Sequence, residues 1–380
     1  MSFVKDLAKM LLSLPLRCFN RKKFIIFEST PDFADNTYPV YEQMVSRGLG
    51  QRYTFVWSCS KDQTLPDEGV RYIYPQRKGL KEKLRNAYYM ANASCMICCN
   101  RYLLPWHKKQ VAVYLSHGTP LKSVRGYYTM PQQMDYCLAA APDVAEMMAY
   151  EFNTRSDKVV PLGFPRNDVL TQPRRPVKQM LETTCRKVIV WYPTFRQHKN
   201  GLIAGSGEAL PVIHDGKVAA ELNEWAKKMD VLLVLKPHFA QDVSEIKDLK
   251  LSNIRFIDDA FFRLHGITSY EFVAGCDAMI TDYSSIYYDY LLCDRPVGLV
   301  WEDLEEYRAK PGFAVDIEEY CAGGVKIYDL ADFKEFLQQV ALDQDVCQQA
   351  RRRLRDMTNY STDGQNAQRV TDFIIEKANL

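Results

Sequence analysis

The chain has 380 residues, 47% apolar and 25% charged, which supplies a sizeable core and, at this length, two domains of about 150 to 200 residues each. Its 49 basic and 47 acidic side chains leave a formal charge of +2, too balanced for a protein that coats a nucleic acid, so no nucleic-acid partner is expected. Eleven cysteines without paired spacing, two of them adjacent at Cys98 and Cys99, read as reduced thiols rather than a disulfide framework; Cys95 and Cys98 fall in an apolar run that predicts a buried strand, and no structural metal is expected.

Residues 1 to 23 carry six basic side chains and one acid. Phe3, Leu7, Met10, Leu11 and Leu14 recur on one helical face, and Arg17, Arg21, Lys22 and Lys23 follow. Lys9 interrupts any signal-peptide core, and the apolar runs fall short of the ~18 to 20 residues that span a bilayer. The pattern predicts an amphipathic helix, lying either on an anionic membrane surface or against the domain.

Apolar runs then predict strands at Phe24–Glu28, Tyr53–Ser58, Arg71–Tyr74, Ala93–Cys99, Val111–Ser116 and Tyr136–Ala140, with helices at Pro39–Ser46 and Leu80–Met90. "TQPRRPVKQ", residues 171–179, reads as linker. A second set follows, with strands at Val188–Tyr192, Val231–Leu235, Ile254–Ile257, Ala278–Thr281 and Val297–Trp301 and helices at Val218–Lys228, Ile286–Leu292 and Ala331–Leu342. The expected fold is therefore α/β, with two Rossmann-like domains facing each other across a cleft and ligands beyond the carboxyl ends of the strands. Expected bounds are 24–170 for the first domain, 171–186 for a linker, 187–360 for the second and 361–380 for a C-terminal helix.

Polar residues collect at the strand ends. His117 follows one strand, "YPTFR" (Tyr192 to Arg196) a second, "KPHF" (Lys236 to Phe239) a third and "TDYSS" (Thr281 to Ser285) a fourth. Each has a structural alternative: His117 or His238 as a satisfied turn histidine, and Asp282, Ser284 and Ser285 as the cap of the helix that follows. Four such groups at four strand ends favour function. Hydroxyls and cations would hold a diphosphate, while an imidazole with an ordinary pKa of about 6.5 could take a proton from an attacking alcohol. No P-loop, dinucleotide fingerprint or Gly-x-Ser-x-Gly elbow is present, which leaves transfer from an activated donor.

The order of motifs resembles the CDP-glycerol glycerophosphotransferase family, the teichoic acid primases and polymerases of bacterial envelopes. The resemblance runs from "FESTPDFADNTYPVYEQM" (Phe27 to Met44) through "HGTPLK" (His117 to Lys122), "GFPRND" (Gly163 to Asp168), "YPTFR", "KPHF" and "TDYSSIYYDYLLCDRPV" (Thr281 to Val297) to "DGQNAQRV" (Asp363 to Val370). Ser116 stands where the family commonly carries tryptophan. The resemblance implies a GT-B type fold and transfer of a polyol phosphate from CDP-glycerol or CDP-ribitol to a hydroxyl of a membrane-linked acceptor, with release of CMP. It also implies His117 as general base, His238 at the donor phosphates or leaving group, and Asp282, Ser284, Ser285, Arg196, Lys236 and Arg166 at the donor. The implied location is cytoplasmic, on the inner face of the membrane, in teichoic acid or capsule-type polymer synthesis. A GT-B nucleotide-sugar glycosyltransferase and a catalytically inactive binding protein are the alternatives.

Overall fold

The computed structural model describes residues 23–62, 64–194, 210–237 and 243–380. The segment expected as an N-terminal amphipathic helix therefore lies outside the described residues. The chain forms two α/β units. Among the described residues, unit 1 comprises those of 23–118, 125–168 and 363–380, and unit 2 those of 119–124 and 169–362.

Unit 1 is built on a seven-stranded sheet of β1 (Lys23–Glu28), β2 (Tyr53–Ser58), β3 (Arg71–Ile73), β4 (Ala93–Cys98), β5 (Val111–Tyr114), β6 (Tyr136–Ala139) and β7 (Val159–Pro161). All neighbours pair in parallel, in the order β3-β2-β1-β4-β5-β6-β7. Its helices include α1 (Thr37–Ser46), α2 (Leu80–Asn92) and α3 (Pro142–Glu151), the last opening on a proline whose missing N–H costs nothing in the first turn.

Unit 2 carries a six-stranded parallel sheet of β8 (Lys187–Trp191), β9 (Val231–Leu235), β10 (Ile254–Phe256), β11 (Ala278–Thr281), β12 (Val297–Val300) and β13 (Val325–Ile327), in the order β10-β9-β8-β11-β12-β13. Helices α4 (Gly216–Lys228), α5 (Asp259–His265), α6 (Ile286–Tyr290) and α7 (Leu330–Ala341) accompany it, together with further helices that include Ser269–Gly275 and Gln348–Thr358. Asp215, Asp258 and Asp329 cap α4, α5 and α7 by accepting from backbone N–H groups of the first turn. The strands read as continuous apolar runs because both faces are covered. Val188, Val190, Leu232 and Val234 enter one core, and Ile189, Trp191, Leu233 and Leu235 the core on the opposite face.

Both sheets thus follow a Rossmann strand order and reverse direction once, between β1 and β4 in unit 1 and between β8 and β11 in unit 2. The α/β class and the two Rossmann-like sheets are as the sequence predicts. Strands β7 and β13 were not expected. Each is a three-residue edge strand, too short for an alternation pattern, and Pro161 is tolerated in β7 because an edge lacks one set of ladder bonds. The C-terminal helix α8 (Asn366–Ala378) belongs to unit 1, and residues 119–124, directly after "HG", belong to unit 2, where Leu121 is buried in the core.

Candidate functional site

At each reversal point a buried carboxylate ties the loop of one central strand to the end of its neighbour. In unit 1, Glu28 ends β1 fully buried, and its carboxylate accepts from the backbone N–H groups of Cys99 (3.3 Å), Asn100 (3.1 Å) and Arg101 (2.9 Å) after β4, and from Arg101 Nε at 3.1 Å. In unit 2, Asp282 follows β11, also fully buried, and accepts from Thr194 N at 2.8 Å and from the Thr194 hydroxyl, fixing the loop after β8. Thr281 Oγ1 donates to the Tyr192 carbonyl at 2.9 Å, a second tie across the same point. A buried carboxylate is tolerable when charged or aligned donors fill its lone pairs, and here the donors are the loops themselves.

His117 lies beyond β5 on a backbone that turns sharply, with Ser116 at φ 56° and Gly118 at φ 137°. Only glycine adopts the second value freely, and a left-handed serine persists when its surroundings hold it. The holding group is Asn36, buried, whose Nδ2 donates to the carbonyls of Leu115 (3.3 Å) and Ser116 (2.9 Å) and whose Oδ1 accepts from Arg166 N at 3.1 Å. Arg166 in turn pairs with Asp35 at 2.6 Å and donates from Nη2 to the His117 carbonyl at 2.8 Å.

His117 is exposed at the surface, yet desolvation by the protein around it pushes its pKa below the usual histidine value. Asp35 opposes the shift, Arg166 adds to it, and a hydrogen bond with the Cys99 backbone opposes it again. A neutral, oriented, accessible imidazole is what a general base requires.

In unit 2, Ser284 and Ser285 are half-buried, and among the described residues neither hydroxyl has a hydrogen-bond partner. Ser285 stands at the N-cap of α6 without a side-chain cap bond, so the hydroxyls are not spent on capping. Helix α6 is only five residues long, so the hydroxyls rather than its dipole make this segment polar. Lys236 follows β9, its N–H donating to the Trp191 carbonyl at 3.0 Å and its ammonium pairing with Asp259 at 3.1 Å beside the rings of Tyr192 and Phe262.

Of the expected site residues, His117 and Arg166 come together in unit 1, and Lys236, Asp282, Ser284 and Ser285 share the carboxyl edge of the unit 2 sheet along the adjacent strands β9, β8 and β11. Arg196 and His238 lie outside the described residues. Asp282 is turned inward on Thr194. Glu28, Asp35, Asn36 and Thr194 join these residues without being expected from the motifs. The available signal was an acidic residue ending an apolar strand in "KFIIFE" and "AMITD", in register with buried neighbours.

Residues 10–376 match the family model of CDP-Glycerol:Poly(glycerophosphate) glycerophosphotransferase. The chain is similar to the teichoic acid glycerol-phosphate transferase of Staphylococcus aureus, at 23% identity over 97% of this chain and 95% of that one. It is 24% identical to the teichoic acid ribitol-phosphate primase of Bacillus spizizenii over 72% of this chain and 71% of the relative. Against the teichoic acid poly(glycerol phosphate) polymerase of Staphylococcus epidermidis, also at 24% identity, it spans 80% of this chain but 44% of the relative. The solved structure of the wall teichoic acid polymerase TagF superposes with a TM-score of 0.70 at 19% identity, over 99% of this chain and 98% of that one. UDP-GlcNAc 2-epimerase from Neisseria meningitidis gives 0.54 at 13% identity over 93% of this chain and 100% of that one, a likeness of fold alone.

Proposed function

The chain belongs to the CDP-glycerol:poly(glycerophosphate) glycerophosphotransferase family, and from that premise we propose that it transfers a polyol phosphate, glycerol phosphate first, from a CDP-activated donor to an acceptor hydroxyl. The observation that carries the reading is the accessible His117, whose imidazole pKa is lowered by desolvation and by Arg166 and whose loop is braced by Asn36 and Arg166. In the reaction, one ring nitrogen of His117 takes the acceptor hydroxyl proton. The acceptor oxygen attacks the phosphorus that bears the glycerol, and the bond from that phosphorus to the bridging oxygen breaks to release CMP. Charge develops on the departing phosphate, and Lys236 with the Ser284 and Ser285 hydroxyls supplies groups suited to hold it. His238, Arg196 and Arg166 complete the donor-side assignment drawn from the motifs; Arg166 also braces the His117 loop through its carbonyl bond. Asp282 acts through Thr194 as a positioning residue.

The acceptor is a membrane-linked saccharide or polyol phosphate in teichoic acid or capsule-type synthesis, and the protein works on the inner face of the membrane. No helix among the described residues is long and apolar enough to cross a bilayer. The sequence stripe Phe3, Leu7, Met10, Leu11 and Leu14 with its basic flank suits peripheral attachment. CMP release from CDP-glycerol and CDP-ribitol, measured beside UDP- and CMP-sugars, tests the donor class. His117→Ala is expected to lower turnover on the order of 100-fold or more with the melting transition intact. Turnover near wild type would remove His117 from the chemistry, and turnover with a nucleotide sugar alone would replace the reading with glycosyl transfer.

A further inference from the structure

Helix α2 is covered along only part of its apolar stripe. Leu80, Leu84, Ala87 and Ala91 recur at i, i+4, i+7 and i+11, the spacing of a core-facing stripe, yet Ala91 is the only buried residue of the helix; Leu80 is 74% and Leu84 55% exposed. Exposed leucines in register with a buried alanine mark a stripe that outruns the core beneath it. The helix begins just past the carboxyl end of β3, so both leucines stand at the edge of the sheet that carries His117.

Basic residues surround them. Between Arg71 and Met90 there are six basic side chains and one acid, in a chain whose total charge is +2. Arg77 pairs with Asp62 and Arg85 with Glu82, whereas Lys78, Lys81 and Lys83 are exposed and have no ionic partner among the described residues. A cleft of about 880 Å³ runs beside the helix, lined by Phe24, Phe55, Tyr72, Tyr88 and Tyr89 among others. Tyrosine, with an apolar body and a polar tip, suits the headgroup level of a bilayer.

The geometry points to this face as a docking surface for an anionic lipid bilayer, with Leu80 and Leu84 entering the acyl boundary and Lys78, Lys81 and Lys83 meeting lipid phosphates. Charge selects the occupant. The segment 1–23 has six basic residues and one acid, and a second copy would bring the same basic face, so both are repelled where an anionic surface is drawn in. Position gives the docking a use. From β3 to β5 the sheet steps four strands, roughly 19 Å at the usual spacing, so α2 and the His117 loop belong to one sheet and one unit, and a bilayer at α2 lies on the unit that carries His117. The inference rests on the membrane reading above and assigns it a surface separate from the N-terminal segment.

Full-length protein is to be floated with phosphatidylglycerol-containing vesicles and with phosphatidylcholine vesicles across a salt series. Wild type is expected to bind the anionic vesicles. Leu80→Gln with Leu84→Gln should weaken partitioning at least ten-fold at every salt concentration, whereas Lys78→Gln, Lys81→Gln and Lys83→Gln together should weaken it at low salt and flatten the salt dependence. Melting and turnover of a water-soluble acceptor analogue should stay at wild-type values for both variants. Binding within two-fold of wild type for both overturns this surface while leaving the membrane reading to residues 1–22. Absence of wild-type binding to either vesicle overturns both. Sedimentation showing a wild-type dimer that the leucine variant loses would make a second copy the occupant and overturn the proposal.

Discussion

His117 takes its properties from residues remote in sequence: Asp35 and Arg166 form an ion pair beside it, and Asn36 braces the carbonyls of the turn that carries it. The two charges push in opposite directions, which gives a test with two signs. Crowding lowers the imidazole pKa, so the acid limb of kcat/KM should lie below the roughly 6.5 of a free histidine. Arg166→Met removes a cation that disfavours the imidazolium and leaves Asp35 unopposed, so the limb should move to higher pH. Asp35→Asn should move it lower. Shifts of the same sign in pH–rate profiles would refute the pair as a tuning device. In unit 2 the residues of "TDYSS" divide by burial. Ser284→Ala and Ser285→Ala should raise the donor KM while changing stability by no more than about 0.5 kcal/mol, because their half-buried hydroxyls hold nothing else. Asp282→Ala strands the buried Thr194 N–H and should cost about 1 to 3 kcal/mol in denaturant titration.

At the scale of elements, two motifs that are far apart in sequence prove to be one joint. Helix α8 has no cap of its own at Gln365; Asp168 of "GFPRND" supplies it, accepting from Asn366 N and Ala367 N, both at 2.8 Å. Gly163 of the same motif sits at φ 84°, and a Cβ there would stand 2.1 Å from Asn366 Oδ1, in a side chain that is itself buried. Gly163→Ala therefore combines left-handed strain with a collision and is expected to cost about 1 to 3 kcal/mol or more, and Asp168→Ala about 0.5 to 2 kcal/mol for the lost cap. Urea titrations of both variants measure these values, and a neutral Gly163→Ala would mean that the joint opens without penalty. "GFPRND" thus has a structural share beside its functional one, since Arg166 braces His117 while Gly163 and Asp168 hold α8.

For the whole molecule, α8 is part of a core rather than a tail. Val370 and Ile374 are fully buried, Ala367 nearly so, and Phe373 packs edge-on against Tyr136. Burying Val370 and Ile374 alone contributes about 3 to 6 kcal/mol, comparable to the net stability of an ordinary domain. Deletion of residues 363–380 should therefore unfold unit 1, and limited proteolysis should cut within residues 23–118 first; a deleted protein that melts like the full chain would refute this. What the sequence determined by itself was local: "KFIIFE" and "VLLVL" are strands because both faces of a parallel sheet demand continuous apolar runs, and polar residues gather at the strand ends because buried sheet interiors cannot hold them. That was enough to name His117, Lys236, Ser284 and Ser285 as site candidates. Pairing over long separations came from the folded arrangement alone. Strand order placed β1 beside β4 and β8 beside β11, and only then could Glu28 reach the loop after β4, Asp282 turn inward on Thr194, and Asp35 and Asn36 close round His117 with Arg166. Hydrophobic period encodes which face of an element is buried, but not which carboxylate meets which loop, because that depends on the register of strands joined across the whole unit.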